Sequence, residues 1–265
     1  MTKIRFFLLS LLLVSGLAPA LALAAGGEVH MKSAQVDLDD KAALQRGASL
    51  FMSYCSGCHA ISFHRYSRLS EDLGLTAEQV EQNLIYNDQK IGETIKTGMN
   101  PADATAWFGK APPDLSVVAR AKAQGADWTY NYLTSFYVDE SRPTGWNNTV
   151  FPGASMPHPL WELQGMQHAK TESKHKNAKG EAEPCAVGEY KGECIIGFEL
   201  AESPKPRLSP EEYDRVAKDI TAFLAYVGEP NAIRRESVGV WVVLFLAFFT
   251  FMAYLLKVEF WRDIH

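Results

Sequence analysis

Five consecutive residues constrain this chain more than any others: Cys55-Ser56-Gly57-Cys58-His59. Two thiols three positions apart on a helical turn can each form a thioether to one edge of a porphyrin, and the histidine that follows can turn its imidazole to the iron. The spacing therefore reads as attachment of haem. A thiol redox pair has no need of His59, and a zinc site needs a second pair of ligands. The segment leading into the motif agrees, because Lys41 to Tyr54 has helical periodicity, with Leu44, Ala48 and Phe51 on one face and Asp39 or Asp40 available as cap. Gly47 inside that helix costs about 1 kcal/mol relative to alanine, which suits a close crossing with another helix.

The ends place the chain. Residues 1–24 read as a cleaved signal peptide: Lys3 and Arg5 form a positive start, Phe6 to Val14 an apolar core, and Ala20 to Ala24 a run with small residues at cleavage spacing. Near the other end, Val238 to Leu256 holds 19 residues without a charge, enough at about 1.5 Å per residue to cross a hydrocarbon layer of roughly 30 Å. The expected division is a periplasmic haem domain over residues 25–233, a single transmembrane anchor over 234–257 and a cytoplasmic tail over 258–265, in a bacterial inner membrane. The leader contains no acid, so losing Lys3 and Arg5 takes the formal charge from −5 to −7. That acidity excludes nucleic acid as a natural partner and favours a cationic one. With Cys55 and Cys58 committed to haem in an oxidising compartment, Cys185 and Cys194 are expected to form a disulfide, Gly188 and Gly192 turning the chain between them.

The exported part reads as mainly helical with long loops and insertions. Thr76-Ala77-Glu78-Gln79 is a capping box, Asp127 to Tyr137 an aromatic-rich helix, and Ser209 to Val227 a helix with its cap, its first-turn proline and an apolar stripe from Tyr213 to Val227. No extended strand pattern stands out. Gln167 to Lys191, polar and lysine-rich, reads as a surface insertion.

An electron carrier pairs the histidine with a methionine thioether, which raises the potential and closes the iron. Met52 lies too near Cys55 to reach the other face. Met99 in TGMNP and Met156 in FPGASMPHPLW both sit in loops beside proline. Met156 is preferred because Pro152, Gly153, Pro157 and Pro159 frame its loop; His64, His158 and His168 remain rivals. The histidine's free ring N–H needs a carbonyl, which the stiff Ala111-Pro112-Pro113-Asp114-Leu115-Ser116 loop can offer. Arg120 and Lys122 follow it and could offset the propionates.

RGASLFMSYCSGCHAISFHRYSRL, APPDLSVVARAK, FPGASMPHPLW and EEYDRVAKDITAFLAYVGEP, in this order before an anchor, resemble the cytochrome c1 family of quinol–cytochrome c oxidoreductases (bc1 complexes). The resemblance implies a class I cytochrome c-like domain with one covalent haem c on Cys55 and Cys58. His59 and Met156 would be axial ligands, the Pro113 carbonyl would stand behind His59, and Arg120 or Lys122 would lie near a propionate. It implies three protein partners in respiratory electron transport: a cytochrome b subunit, a Rieske iron–sulfur protein as donor and a soluble cytochrome c as acceptor. This chain would carry electrons within the complex and not be catalytic alone. A stand-alone anchored cytochrome feeding a terminal oxidase is the alternative; a haem peroxidase would usually want a second C-x-x-C-H, which this sequence lacks.

Overall fold

The computed structural model describes residues 31–175 and 183–262; the expected signal peptide and the last three residues of the tail lie outside them. Helix α1, Lys41–Tyr54, begins where the Asp40 carboxylate accepts from the Ala43 N–H at 3.0 Å, and it buries Leu44, Ala48, Phe51 and Met52. It crosses the long helix near the end of the domain, Pro210–Gly228, which carries the capping box read from the sequence. There Ser209 Oγ accepts from the Glu212 N–H at 3.3 Å, and the Glu212 carboxylate accepts from the Ser209 N–H at 2.9 Å. Gly47 sits at the crossing, where an added Cβ would lie 2.0 Å from the Asp219 carbonyl oxygen. The Phe51 and Phe223 rings close the contact at 5.6 Å, and Arg46 forks onto the Asp219 carboxylate at 2.7 and 3.0 Å.

Between these two helices the chain runs through β1 (Ile61–Arg65), α2 (Tyr66–Leu73), α3 (Ala77–Leu84), β2 (Thr94–Ile95), α4 (Pro101–Phe108), α5 (Val118–Ala121) and α6 (Ala126–Thr134). Both halves of the Thr76 box at α3 are formed. β1 and β2 pair antiparallel. Helix α6 ends three residues earlier than its aromatic content suggests. Phe136–Val138 instead forms β3, paired antiparallel with β4 (Trp146–Asn148). Extended backbone lets the adjacent Phe136 and Tyr137 both be buried, and aromatic and β-branched residues favour that pleated state.

After α7 (Trp161–Gln164) comes a feature absent from the sequence reading: β5 (Gln167–Glu172), β6 (Glu189–Tyr190) and β7 (Glu193–Leu200) form an antiparallel sheet in the order β5-β7-β6. The polar segment expected as a plain surface insertion thus supplies two of the strands. β5 alternates half-buried and exposed positions, but with the residues Gln-His-Ala-Lys-Thr-Glu, so no hydrophobic period announces it. Its order comes from backbone pairing with β7. Lys191 and Gly192, at φ 50° and 85°, make the tight β6–β7 turn, a conformation that two-residue hairpins require. The expected Cys185–Cys194 disulfide ties this hairpin, its Cα atoms 5.1 Å apart.

Pro210–Gly228 is then α8, and α9 is Ala232–Phe260, longer at both ends than the uncharged run. Its Arg234–Phe260 stretch is long and apolar enough to cross a membrane, and none of its most apolar part is buried. The junction is clamped. Glu229 accepts from Arg120 and Arg235, each at 2.7 Å, and Arg68 donates to the side-chain amide oxygen of Asn231 at 3.2 Å.

Candidate functional site

The last turn of α1 runs on into the cysteine motif. The Cys55 N–H donates to the Phe51 carbonyl at 2.8 Å, the Cys58 N–H to the Cys55 carbonyl at 3.0 Å, and the His59 N–H to the same carbonyl at 2.8 Å. One helical turn thus places both sulfurs and the imidazole beside a cavity of about 300 Å³, whose walls are largely apolar and include Leu133 from α6 and Ile220 and Leu224 from α8. The two cysteines are unbridged. Burial pushes the Cys55 thiol up to about 12 and raises Cys58 as well, so neither is the poised thiolate of a redox pair.

His59 Nδ1 lies 2.7 Å from the Pro113 carbonyl oxygen, so Nδ1–H donates to that carbonyl and Nε2 keeps its lone pair. Burial lowers the His59 pKa, outweighing the Pro113 hydrogen bond and the Asp114 charge, which favours the neutral ring, the form able to bind a metal. The Pro113 loop is itself fixed. Leu115 N–H donates to the Ala60 carbonyl at 2.8 Å, while the Asp114 carboxylate accepts from Ser62 N–H at 2.9 Å and Ser116 N–H at 2.7 Å.

Of the two loop methionines, Met156 borders the cavity and Met99 does not. The Met156 loop is held by Arg142, which donates to the Gly153 carbonyl at 2.7 Å, and by Asn147, which accepts from the Gly153 N–H at 2.8 Å. None of the three rival histidines borders the cavity. His64 lies 3.1 Å from the Tyr226 hydroxyl, and His158 lies 2.6 Å from the Gln164 amide oxygen and stacks on Phe136 at 4.7 Å. His168 is exposed on β5.

The two candidate cations part company. Lys122 borders the cavity with its ammonium 4.0 Å from the centre of the Trp128 ring, whereas Arg120 is engaged by Glu229. The sequence reading missed Lys110, which also borders the cavity, and the wall made by Trp128 and Tyr132, whose rings stack at 4.9 Å. Its available signal was the i, i+4 spacing of those two aromatics on α6.

Two unbridged thiols, a carbonyl-oriented imidazole and a thioether around one apolar cavity are the donor set and surroundings that a c-type haem needs, and they define the class of the site as that of a c-type cytochrome. The Cytochrome C1 family matches residues 32–179 and 208–264. The chain belongs to the cytochrome c1 family. It is 47% identical over 249 residues to the cytochrome c1 of Allochromatium vinosum, covering 94% of this chain and 96% of that one. It is 39% identical over 265 residues, the full length of both, to a Nitrosomonas europaea protein named ammonia monooxygenase gamma subunit. It is also 25% identical to the cytochrome b/c1 of Bradyrhizobium diazoefficiens, over 85% of this chain and 34% of that longer one.

Proposed function

We propose that this chain is the membrane-anchored haem c subunit of a bc1-type quinol–cytochrome c oxidoreductase, taking one electron from a Rieske iron–sulfur protein and passing it to a soluble cytochrome c. The observation that carries the reading is the convergence of Cys55, Cys58, His59 and Met156 on one apolar cavity, in a chain that ends in a long unburied apolar helix. One haem, joined by two thioethers in a class I cytochrome c-like domain, would supply a one-electron iron couple when bound. Cys55 and Cys58 would hold it through thioethers, and His59, aimed by Pro113, and Met156 would supply the iron's two protein ligands. Leu133, Ile220 and Leu224 exclude water, and Lys122 offsets propionate charge. Transfer is outer-sphere, so these residues hold geometry and move no proton.

The assigned division is a signal peptide over 1–24, a periplasmic domain over 25–233, an inner-membrane anchor over 234–257 and a cytoplasmic tail over 258–265. A cytochrome b subunit beside the anchor accords with the relative whose name joins b and c1. The full-length relative named as a monooxygenase subunit favours a second reading, membership of an ammonia monooxygenase assembly. Gentle solubilisation followed by identification of the co-purifying subunits separates them. Cytochrome b and a Rieske protein are expected; a monooxygenase, or a terminal oxidase without cytochrome b, would overturn the assignment.

A further inference from the structure

Tyr132 is set into the cavity wall with unusual firmness. Its ring is stacked on Trp128 at 4.9 Å and 10°, and meets the edge of Phe136 at 5.0 Å and 68°. Phe136 stacks in turn on His158 at 4.7 Å, two residues beyond Met156. The Tyr132 carbonyl accepts from the Asn148 side chain at 2.8 Å, tying α6 to the strand that leads into the Met156 loop. With the ring wedged in this way, the hydroxyl has one hydrogen-bond partner among the described residues, the sulfur of Met156 at 3.6 Å. A buried hydroxyl without a partner is unfavourable, and phenylalanine would fill the same stack without that cost. The Met156 sulfur is the partner that the structure gives this hydroxyl.

We infer that Tyr132 is a positioning residue that tunes the redox site through Met156, its hydroxyl donating to one sulfur lone pair while the other is held toward the cavity. The inference rests on Met156 being an axial ligand. A thioether sulfur is a weak acceptor, but it has two lone pairs, and only one is needed for a metal. Donation from Tyr132 draws electron density from the sulfur and sets the positive end of the O–H dipole beside the ligand. Both effects disfavour the oxidised, more positive state, so the hydroxyl raises the midpoint potential, as hydrogen bonds around metal ligands do elsewhere.

The test uses the full haem-loaded chain with Tyr132→Phe, 3-fluorotyrosine at position 132, and Met156→Leu. The readouts are the midpoint potential and the sulfur-to-iron charge-transfer band of the oxidised protein. Tyr132→Phe keeps the ring and is expected to retain haem and the band while shifting the potential downward. Fluorotyrosine, a stronger donor in the same ring, is expected to shift it upward. A potential unmoved in both variants, or moved in the same direction by both, would overturn the inference, because a packing role alone needs only the ring. Met156→Leu separates the two levels. If it keeps the sulfur band, the ligand assignment fails and the inference with it. If it loses the band while the Tyr132 variants change nothing, the inference fails and the assignment stands.

Discussion

Replacing Gly47 with alanine sets two physical effects against each other with opposite sign. Helix propensity alone makes the change stabilising by about 1 kcal/mol. The crossing says otherwise: the new methyl would lie 2.0 Å from the Asp219 carbonyl oxygen and 2.8 Å from both the Asp219 carbonyl carbon and Phe223 Cβ. The obstacle is largely backbone and cannot swing aside. Bringing 2.0 Å up to the 3.4 Å where ordinary contact begins needs α1 and α8 to separate by 1.4 Å along that line. Such a shift loosens the Phe51–Phe223 contact and the Arg46–Asp219 pair that flank it. Overpacking of this kind costs about 1–3 kcal/mol, and a clash with backbone belongs at the upper end. The net expectation is a loss of about 2 kcal/mol after the propensity gain, or a melting temperature lower by roughly 4–8 °C for a domain of this size. Thermal unfolding of the haem-loaded protein followed by circular dichroism measures it, and the proposed thioether attachment should leave haem content unchanged. A Gly47→Ala variant as stable as the parent, or more so, would refute the crossing argument.

Three other outcomes follow from the same structure. Burial, aided by the Arg68 charge and opposed by Asp72, pulls the His64 pKa down to about 4, so the folded chain binds that proton less readily than the unfolded one. Its contribution to stability is full above about pH 6.5, declines as pH falls toward 4 and amounts to about 3 kcal/mol in all. His64→Gln should flatten the pH dependence of urea midpoints across that window, and an unchanged slope would count against it. Replacing Cys185 and Cys194 with alanine should cost about 2–3 kcal/mol without loss of haem, since the bridge ties a hairpin away from the cavity; two alkylatable thiols in the non-reduced parent would contradict the bridge. Deleting residues 238–265 should release a soluble, haem-loaded domain, because the buried Ala232 and the Glu229–Arg235 pair are retained. Sedimentation of the shortened protein with membranes would defeat the anchor reading.

What the amino-acid sequence determined by itself was everything governed by neighbours within a few residues. The caps at Thr76 and Ser209, and at Asp39 or Asp40, locate helix starts because side chain and amide are three residues apart. The spacing of Cys55, Cys58 and His59 is one helical turn, and the Val238–Leu256 run needs no partner to be helical and apolar. Even Gly47 announced a crossing, though not with which helix. Tertiary structure alone decided the rest, because proximity between distant segments leaves no period to read. Met99 and Met156 have similar loop chemistry, and only the packing of the Phe151–Pro159 segment against α6 brings Met156 to the cavity. Arg120 and Lys122 are two residues apart, yet Glu229, the cap at the end of α8, draws one away while Trp128 keeps the other at the site. The strand Gln167–Glu172 owes its order to hydrogen bonds from β7 rather than to its own polar side chains. Tyr132 looked like one more aromatic on a helix, and it takes on a chemical role only because the fold sets its hydroxyl against the sulfur of Met156.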